Sequence, residues 1–165
     1  MRFFRAFKYA VSGIAHCIKT ERNIRIHIVV AAYVLAVAAF FELPALHWAL
    51  LLLTIAAVLA AELLNTALER VCDYCAKQRH PLIKAAKDVA AGAVLVLSVF
   101  AVAVGICLFW QPQKLWEMVT FLCSDPALFT IFILTVVLSL LFVMIGPSGM
   151  AENAKSVCSR KKDKD

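Results

Sequence analysis

The sequence predicts an all-α integral membrane protein, with an N-terminal amphipathic surface helix followed by four transmembrane helices. Of its 165 residues, 63% are hydrophobic and 17% are charged, whereas about one-quarter of a soluble domain is charged. The apolar residues form four runs of nearly the length, about 20 residues, that a helix needs to cross a bilayer. The predicted spans are residues 24–41, 45–64, 89–110 and 127–145.

The first element, about residues 2–20, has helical periodicity but no continuous apolar run. Basic residues such as Arg5 and Lys8 fall on one side of a helix, and apolar residues such as Phe3 and Phe7 fall on the other. A cleavable signal peptide would need an uninterrupted apolar stretch. We therefore expect this segment to be an amphipathic helix that lies on the inner surface of the membrane.

The positive charge of the chain alternates between the segments that flank the predicted spans. The net charge is +6, with six Lys or Arg in residues 1–27, five in residues 65–88 and five after Gly149. The 42–47 loop has none, and residues 111–126 contain only Lys114. The positive-inside rule then places both termini and the 65–88 loop in the cytoplasm. This distribution favours anionic lipid headgroups over nucleic acid as the partner of the basic residues.

The second predicted span ends in a polar stripe, within the stretch AELLNTALERVCDYC of residues 61–75. At about 100° per residue, Glu62, Asn65, Glu69 and Asp73 fall within an arc of about 80° on one side of a helix. An ionisable group near the hydrocarbon boundary is expensive and indicates a functional site. The alternative interpretation is an interfacial glutamate that pairs with Lys or Arg.

The third span begins with a second set of charges on a surface of small residues. Pro81 is suited to start this helix, and Lys84 and Asp88 have the i,i+4 spacing of an ion pair at a helix end. Small residues such as Ala85 and Gly92 let helices approach closely. We therefore expect the carboxylates of one helix to lie near the lysines of the next.

Carboxylates, an amide and lysines around one interfacial cavity are suited to Mg²⁺ and phosphate. Mg²⁺ is often held by one or two carboxylates together with substrate phosphates, and lysine neutralises phosphate as a point charge. A further carboxylate can accept a proton from an attacking hydroxyl. With five glycines and neither a GxxxxGK[ST] nor a GxGxxG motif, an ATP site would have to be built without a glycine-rich loop.

The CxxC of Cys72 and Cys75 lacks the second pair that a zinc site needs.

The stretch AELLNTALERVCDYCAKQRHPLIKAAKDVAAGAVLV resembles the signature of the small prokaryotic diacylglycerol kinase and undecaprenol kinase family. That signature has a Glu, then Asn-(Ser/Thr)-Ala, then Glu and Asp, then His, then Ala-Lys-Asp before a helix of small residues. The upstream ERNIRIH resembles the acidic element that precedes the family's first span. The resemblance covers about residues 2–110.

The resemblance implies a homotrimeric lipid kinase of the bacterial inner (plasma) membrane that uses ATP and Mg²⁺. Three spans and a surface helix would form composite active sites at the cytoplasmic interface. By the position of each residue in the signature, the resemblance implies that Glu62 is the general base and that Asn65 orients the site. It implies that Glu21 and Glu69 bind the metal. It further implies that Lys87 and Asp88 contact ATP with His80 nearby, and that Tyr9 and Arg2 make further nucleotide contacts.

Within the family, ERNIRIH, RHP and AKDVAAGAVLV look more like the branch that phosphorylates undecaprenol than the branch that acts on diacylglycerol. Diacylglycerol remains the alternative substrate. A small non-enzymatic transporter or scaffold is the alternative of another class, because ionisable residues near spans also mark ion pathways.

The chain continues beyond the region of resemblance. We divide it into a kinase membrane domain (residues 1–110), a connector (111–126), an extra transmembrane helix (127–145) and a basic cytoplasmic tail (146–165). There is no ionisable residue between Asp125 and Glu152. We therefore expect the extra span to be a packing or anchoring helix without a catalytic role.

Overall fold

The fold is described from a computed structural model that covers residues 2–75 and 80–162, with the backbone alone for Arg2, Ser148 and residues 150–162. Within these residues the chain forms helices and no strands, which confirms the predicted all-α class. The helices are α1 (Arg2–Thr20), α2 (Arg22–Phe40), α3 (Ala45–Cys75), α4 (Pro81–Phe109), α5 (Pro112–Ser124) and α6 (Pro126–Lys162). Of these described helices, four are long and apolar enough to cross a membrane, namely α2, α3, α4 and the Pro126–Pro147 part of α6.

Helices α3 and α4 are longer than a membrane span. At 1.5 Å per residue, the 31 residues of α3 extend for about 46 Å, against a hydrocarbon thickness of about 30 Å. The C-terminal part of α3 that carries the polar stripe therefore continues as helix beyond the apolar run. Helix α4 starts at Pro81, as predicted, and His80 caps it, with Nδ1 accepting from the Leu82 N–H at 3.3 Å.

The opposite end of the bundle contains its hydrophobic core. Phe41 is 1% exposed and packs edge-to-face on Phe109, with ring centroids 5.3 Å apart. The predicted connector, residues 111–126, contains α5, and α5 packs on this core through Leu115 and Met118. The core residue on α3, Leu51, lies three turns before the start of the polar stripe, so the hydrophobic core and the stripe occupy different parts of the bundle.

The extra span lies along α2 and also contacts α1. Its helix is interrupted at Gly146, where φ is 72° and ψ is 169°, and the next residue is Pro147. Glycine is suited to this position because a positive φ is strained for residues with a Cβ. The membrane span of α6 therefore ends at a defined break, close to the start of α2.

Candidate functional site

Glu62 is a buried carboxylate in the C-terminal half of α3. It is 3% exposed, and Asn23 and His27 of α2 lie close enough to interact with it, as do Glu69 and Glu21. On the opposite side of α3, Leu64 and Val71 are 71% and 61% exposed. The helix therefore turns Glu62 inward toward α2, as the angular spacing predicts for this residue. Sequence reasoning missed Asn23 and His27, which lie on α2 and are not part of the stripe.

Asn65 lies one turn after Glu62 and is also buried, with 7% of its surface exposed. Its Nδ2 lies 3.5 Å from Oε1 of Glu69, while its Oδ1 is buried and has no hydrogen-bond partner among the residues that the structure describes. A buried polar atom without a partner is costly. The described residues therefore leave this amide oxygen in need of a partner. The neighbouring Thr66, which sequence analysis did not select, is 4% exposed.

Glu21 lies at the corner between α1 and α2 and is held by Arg70 of α3. One guanidinium nitrogen of Arg70 donates to Oε1 of Glu21 at 3.0 Å and to Oγ1 of Thr20 at 2.6 Å, and the other contacts Nε2 of His16. Glu21 occupies the N-cap position of α2 but makes no side-chain capping bond. Arg70 thus joins the corner to the polar stripe.

Arg70 is a candidate site residue that the sequence analysis missed. It directly follows Glu69 in the quoted stretch, which was a usable signal, but its partner Glu21 is 49 residues away. Sequence periodicity finds residues that share one helix face, and it does not find partners on another helix.

Lys87 forms an ion pair with Asp73 of α3. The i,i+4 spacing of Lys84 and Asp88 would also allow an ion pair within α4, but the ion pairs of the described residues do not include it. The close packing of α4 on α3 provides Lys87 with a partner across the helix interface. The broader expectation, that lysines of α4 lie near carboxylates of α3, is confirmed for this pair.

The remaining predicted residues lie outside this cluster in the single chain. Tyr9 is 72% exposed on α1, and Asp88 is exposed on α4. His80 caps α4. The side chain of Arg2 lies outside the described residues. The structure therefore brings together Glu62, Asn65, Glu69 and Glu21, and separately Lys87 with Asp73.

The donor set of the cluster fits Mg²⁺. The described residues contain no group of three His, Cys, Asp or Glu side chains arranged as a complete metal site. Mg²⁺ does not need one, because one or two carboxylates and substrate phosphates commonly hold it. Glu21 and Glu69 supply hard carboxylate oxygens, and the unpartnered Oδ1 of Asn65 adds an amide oxygen between Glu62 and Glu69.

An apolar cavity lies within the membrane-spanning part of the bundle, one turn of α3 before Glu62. It has a volume of about 260 Å³, lies between α2, α3 and α4, and is lined by residues that include His27, Val58 and Val102. Val58 lies four residues before Glu62 on α3, so the cavity is close to the buried carboxylate, although Glu62 itself does not line it.

The chain is similar to known proteins over its first two thirds. A family model described as prokaryotic diacylglycerol kinase matches residues 8–109. An undecaprenol kinase of Bacillus subtilis is 42% identical over 108 residues, covering 66% of this chain and 88% of the relative. A diacylglycerol kinase of Synechocystis is 45% identical over 108 residues, covering 65% of this chain and 62% of the relative. The diacylglycerol kinase of Escherichia coli is 28% identical over 110 residues, covering 67% of this chain and 90% of the relative.

Proposed function

Because this chain belongs to the prokaryotic diacylglycerol kinase family, we propose that it transfers the γ-phosphoryl group of ATP to the hydroxyl group of undecaprenol. The family consists of membrane-embedded lipid kinases, for which ATP is the phosphate donor. The observation that carries the proposal is a carboxylate, Glu62, buried at 3% exposure beside Glu21, Glu69 and Asn65 where a membrane span ends. A lipid hydroxyl and a nucleotide from the aqueous side can meet there.

In the proposed reaction Glu62 is the general base. Its carboxylate takes the proton of the lipid hydroxyl, the hydroxyl oxygen forms a bond to the γ-phosphorus, and the bond from that phosphorus to the β,γ-bridging oxygen breaks, which releases ADP. Phosphoryl transfer depends mainly on positioning and charge neutralisation. The burial of Glu62 supports this role, because it keeps bulk water away from the proton acceptor.

Glu21 and Glu69 would hold Mg²⁺, and Asn65 would orient the bound groups through its free amide oxygen. When bound, the ion neutralises charge on the β- and γ-phosphates. Arg70 fixes the Glu21 carboxylate by an ion pair at 3.0 Å. Lys87 and Asp88 would contact ATP, with His80, Tyr9 and Arg2 as further nucleotide contacts.

We place the site and both termini in the cytoplasm, because basic residues flank the inner ends of the spans. We also propose a homotrimer. Tyr9 and Asp88 are exposed in the single chain, and in a trimer a neighbouring subunit would complete the site around them. The mass of the purified protein in detergent, measured by light scattering, tests the trimer.

The choice of lipid rests on the sequence elements ERNIRIH, RHP and AKDVAAGAVLV. Overall identity does not separate the substrates, since relatives named as undecaprenol kinase and diacylglycerol kinase are 42% and 45% identical to this chain. The apolar cavity beside Glu62 supports a lipid substrate of either kind. Diacylglycerol is therefore the second candidate.

To decide between the two substrates, we would measure phosphorylation of undecaprenol and of diacylglycerol by one preparation of the protein in mixed micelles. We expect kcat/KM for undecaprenol to exceed that for diacylglycerol by about tenfold, which corresponds to about 1.4 kcal/mol of transition-state binding. A preference for diacylglycerol of that size would reverse the assignment of the substrate and leave the kinase assignment in place.

Replacing Arg70 with Met is expected to raise the KM for Mg-ATP by about tenfold, because a hydrogen bond to a charged group contributes roughly 1.5–3 kcal/mol. Arg70→Lys retains the charge but not the planar fork that reaches Glu21, Thr20 and His16 together, so we expect a smaller rise. Steady-state kinetics at saturating lipid provide the measurement. A KM for Mg-ATP that neither variant changes would remove Arg70 from the site.

A further inference from the structure

Arg25 is a buried cation that joins three helices. It lies in α2 and is 6% exposed. Its Nη1 donates to the carbonyl oxygens of Ile18, at 3.0 Å, and Lys19, at 3.4 Å, at the end of α1. Its Nε and Nη2 donate to the carbonyl oxygen of Val143 in α6, at 3.2 and 3.1 Å. A buried charge must be well hydrogen-bonded, and the described partners of this one are backbone carbonyls at two helix ends.

The carbonyl of Val143 is available because the helix breaks after it. Its usual partner would be the N–H four residues later, but that residue is Pro147, which has none, and Gly146 leaves the helical conformation. A carbonyl without a partner is expensive near the membrane. A Cβ at Gly146 would lie 3.0 Å from Nη1 of Arg25, so glycine at this position also leaves room for the guanidinium.

Three other hydrogen bonds join α2 or its C-cap residue Phe41 to the part of the chain beyond the family match. In the middle of the helix, the hydroxyl of Tyr33 lies 3.3 Å from Oγ1 of Thr135 and 3.2 Å from Oγ of Ser139. At the outer end, Nζ of Lys114 donates to the carbonyl of Phe41 at 2.9 Å. Residues outside the family match therefore contact α2 at its inner end, its middle and its outer end.

We propose that residues 111–147 form an intramolecular brace that positions Glu21, with Arg25 as the positioning residue. In the sequence, Glu21 lies between Lys19, whose carbonyl Arg25 binds, and Arg25 itself. The guanidinium of Arg25 therefore bridges the two ends of the corner that carries Glu21, and the same guanidinium binds α6. The extra span then acts on the binding of Mg-ATP from a distance. This step rests on the proposed role of Glu21 in binding the metal.

The test is a double-mutant cycle in the full chain, with Arg25→Gln, Gly146→Ala and the combination of the two. The first readout is hydrogen exchange at the amide of Glu21, which donates to the carbonyl of Cys17 at 2.8 Å. The second is the KM for Mg-ATP. We expect each single variant to speed exchange at Glu21 and to raise KM by about tenfold, and the double variant to resemble the singles, because neighbouring residues that share one contact are not additive.

Arg22→Gln is the matched control, because it removes the same charge from an exposed position three residues away. We expect exchange at Glu21 and the KM for Mg-ATP to stay within about twofold of the wild-type values. Additive effects of Arg25→Gln and Gly146→Ala, or equal effects of Arg25→Gln and Arg22→Gln, would overturn the brace. Should Arg25→Gln not fold, Gly146→Ala alone decides, because unchanged exchange at Glu21 contradicts the proposal.

The two readouts separate this inference from the proposed function. If the wild-type protein has no kinase activity but Gly146→Ala still speeds exchange at the Glu21 amide, the proposed function is wrong and the brace is supported. If the protein is an active kinase and Gly146→Ala changes neither exchange at Glu21 nor the KM for Mg-ATP, the proposed function is supported and the brace is wrong.

Discussion

Glu62→Gln is expected to lower kcat for lipid phosphorylation by about 10²–10⁴-fold, the range that general acid–base catalysis contributes. The variant keeps the size and most of the polarity of the buried side chain, which is 3% exposed and lies beside Asn23 and His27. It removes the capacity to accept a proton from the lipid hydroxyl. In the proposed reaction Glu62 acts on the attacking hydroxyl and not on the nucleotide, so we expect the KM for Mg-ATP to change by less than about threefold.

Two further variants, Glu117→Gln and Glu62→Asp, serve as controls for Glu62→Gln. Glu117→Gln removes a carboxylate from an exposed position on α5, away from the cluster, and we expect kcat close to that of the wild type. Glu62→Asp keeps a base but shortens the side chain, so part of the activity should remain. Wild-type kcat in a folded Glu62→Gln protein would remove Glu62 as the base.

Glu69→Gln is expected to raise the Mg²⁺ concentration needed for half-maximal activity by about tenfold or more, since a carboxylate oxygen is a strong ligand for this ion and an amide is a weaker one. The packing of the site should survive, because the Gln amide oxygen can still accept from Nδ2 of Asn65, which lies 3.5 Å from Oε1 of Glu69. The measurement is a Mg²⁺ titration of the initial rate at saturating ATP and lipid.

Excess Mg²⁺ distinguishes this variant from one at the base. We expect a high Mg²⁺ concentration to restore much of the activity of Glu69→Gln and none of that of Glu62→Gln. An unchanged Mg²⁺ requirement in Glu69→Gln, accompanied by a lower kcat, would instead place Glu69 in the chemical step.

The fold could be predicted from local properties of the sequence. Apolar runs of sufficient length identified the four spans, and Pro81 marked the start of α4. The spacing of Glu62, Asn65 and Glu69 predicted the face that the structure turns toward α2, because the period of a helix is a property of the local chain. The helix within the connector was not predicted, although Pro112 is at a position typical of a helix start.

The contacts between helices could not be predicted in the same way. Lys87 pairs with Asp73, Arg70 with Glu21, and Arg25 with the carbonyl of Val143, at separations of 14, 49 and 118 residues. Each contact depends on how two helices are rotated and shifted against each other. Packing over the whole interface determines that arrangement, whereas helical periodicity identifies only the residues that share a face.

Membership of the prokaryotic diacylglycerol kinase family implies that this chain phosphorylates a membrane lipid with ATP. The most direct measurement follows the label of γ-phosphate-labelled ATP after incubation with the purified full chain, Mg²⁺ and undecaprenol in mixed micelles. We expect the label to move to the lipid phase as a lipid monophosphate, and this transfer to be lost when Mg²⁺ is chelated or when Glu62 is replaced by Gln. Label that stays in ATP or is released only as inorganic phosphate, with undecaprenol and with diacylglycerol alike, would show that this chain is not a lipid kinase.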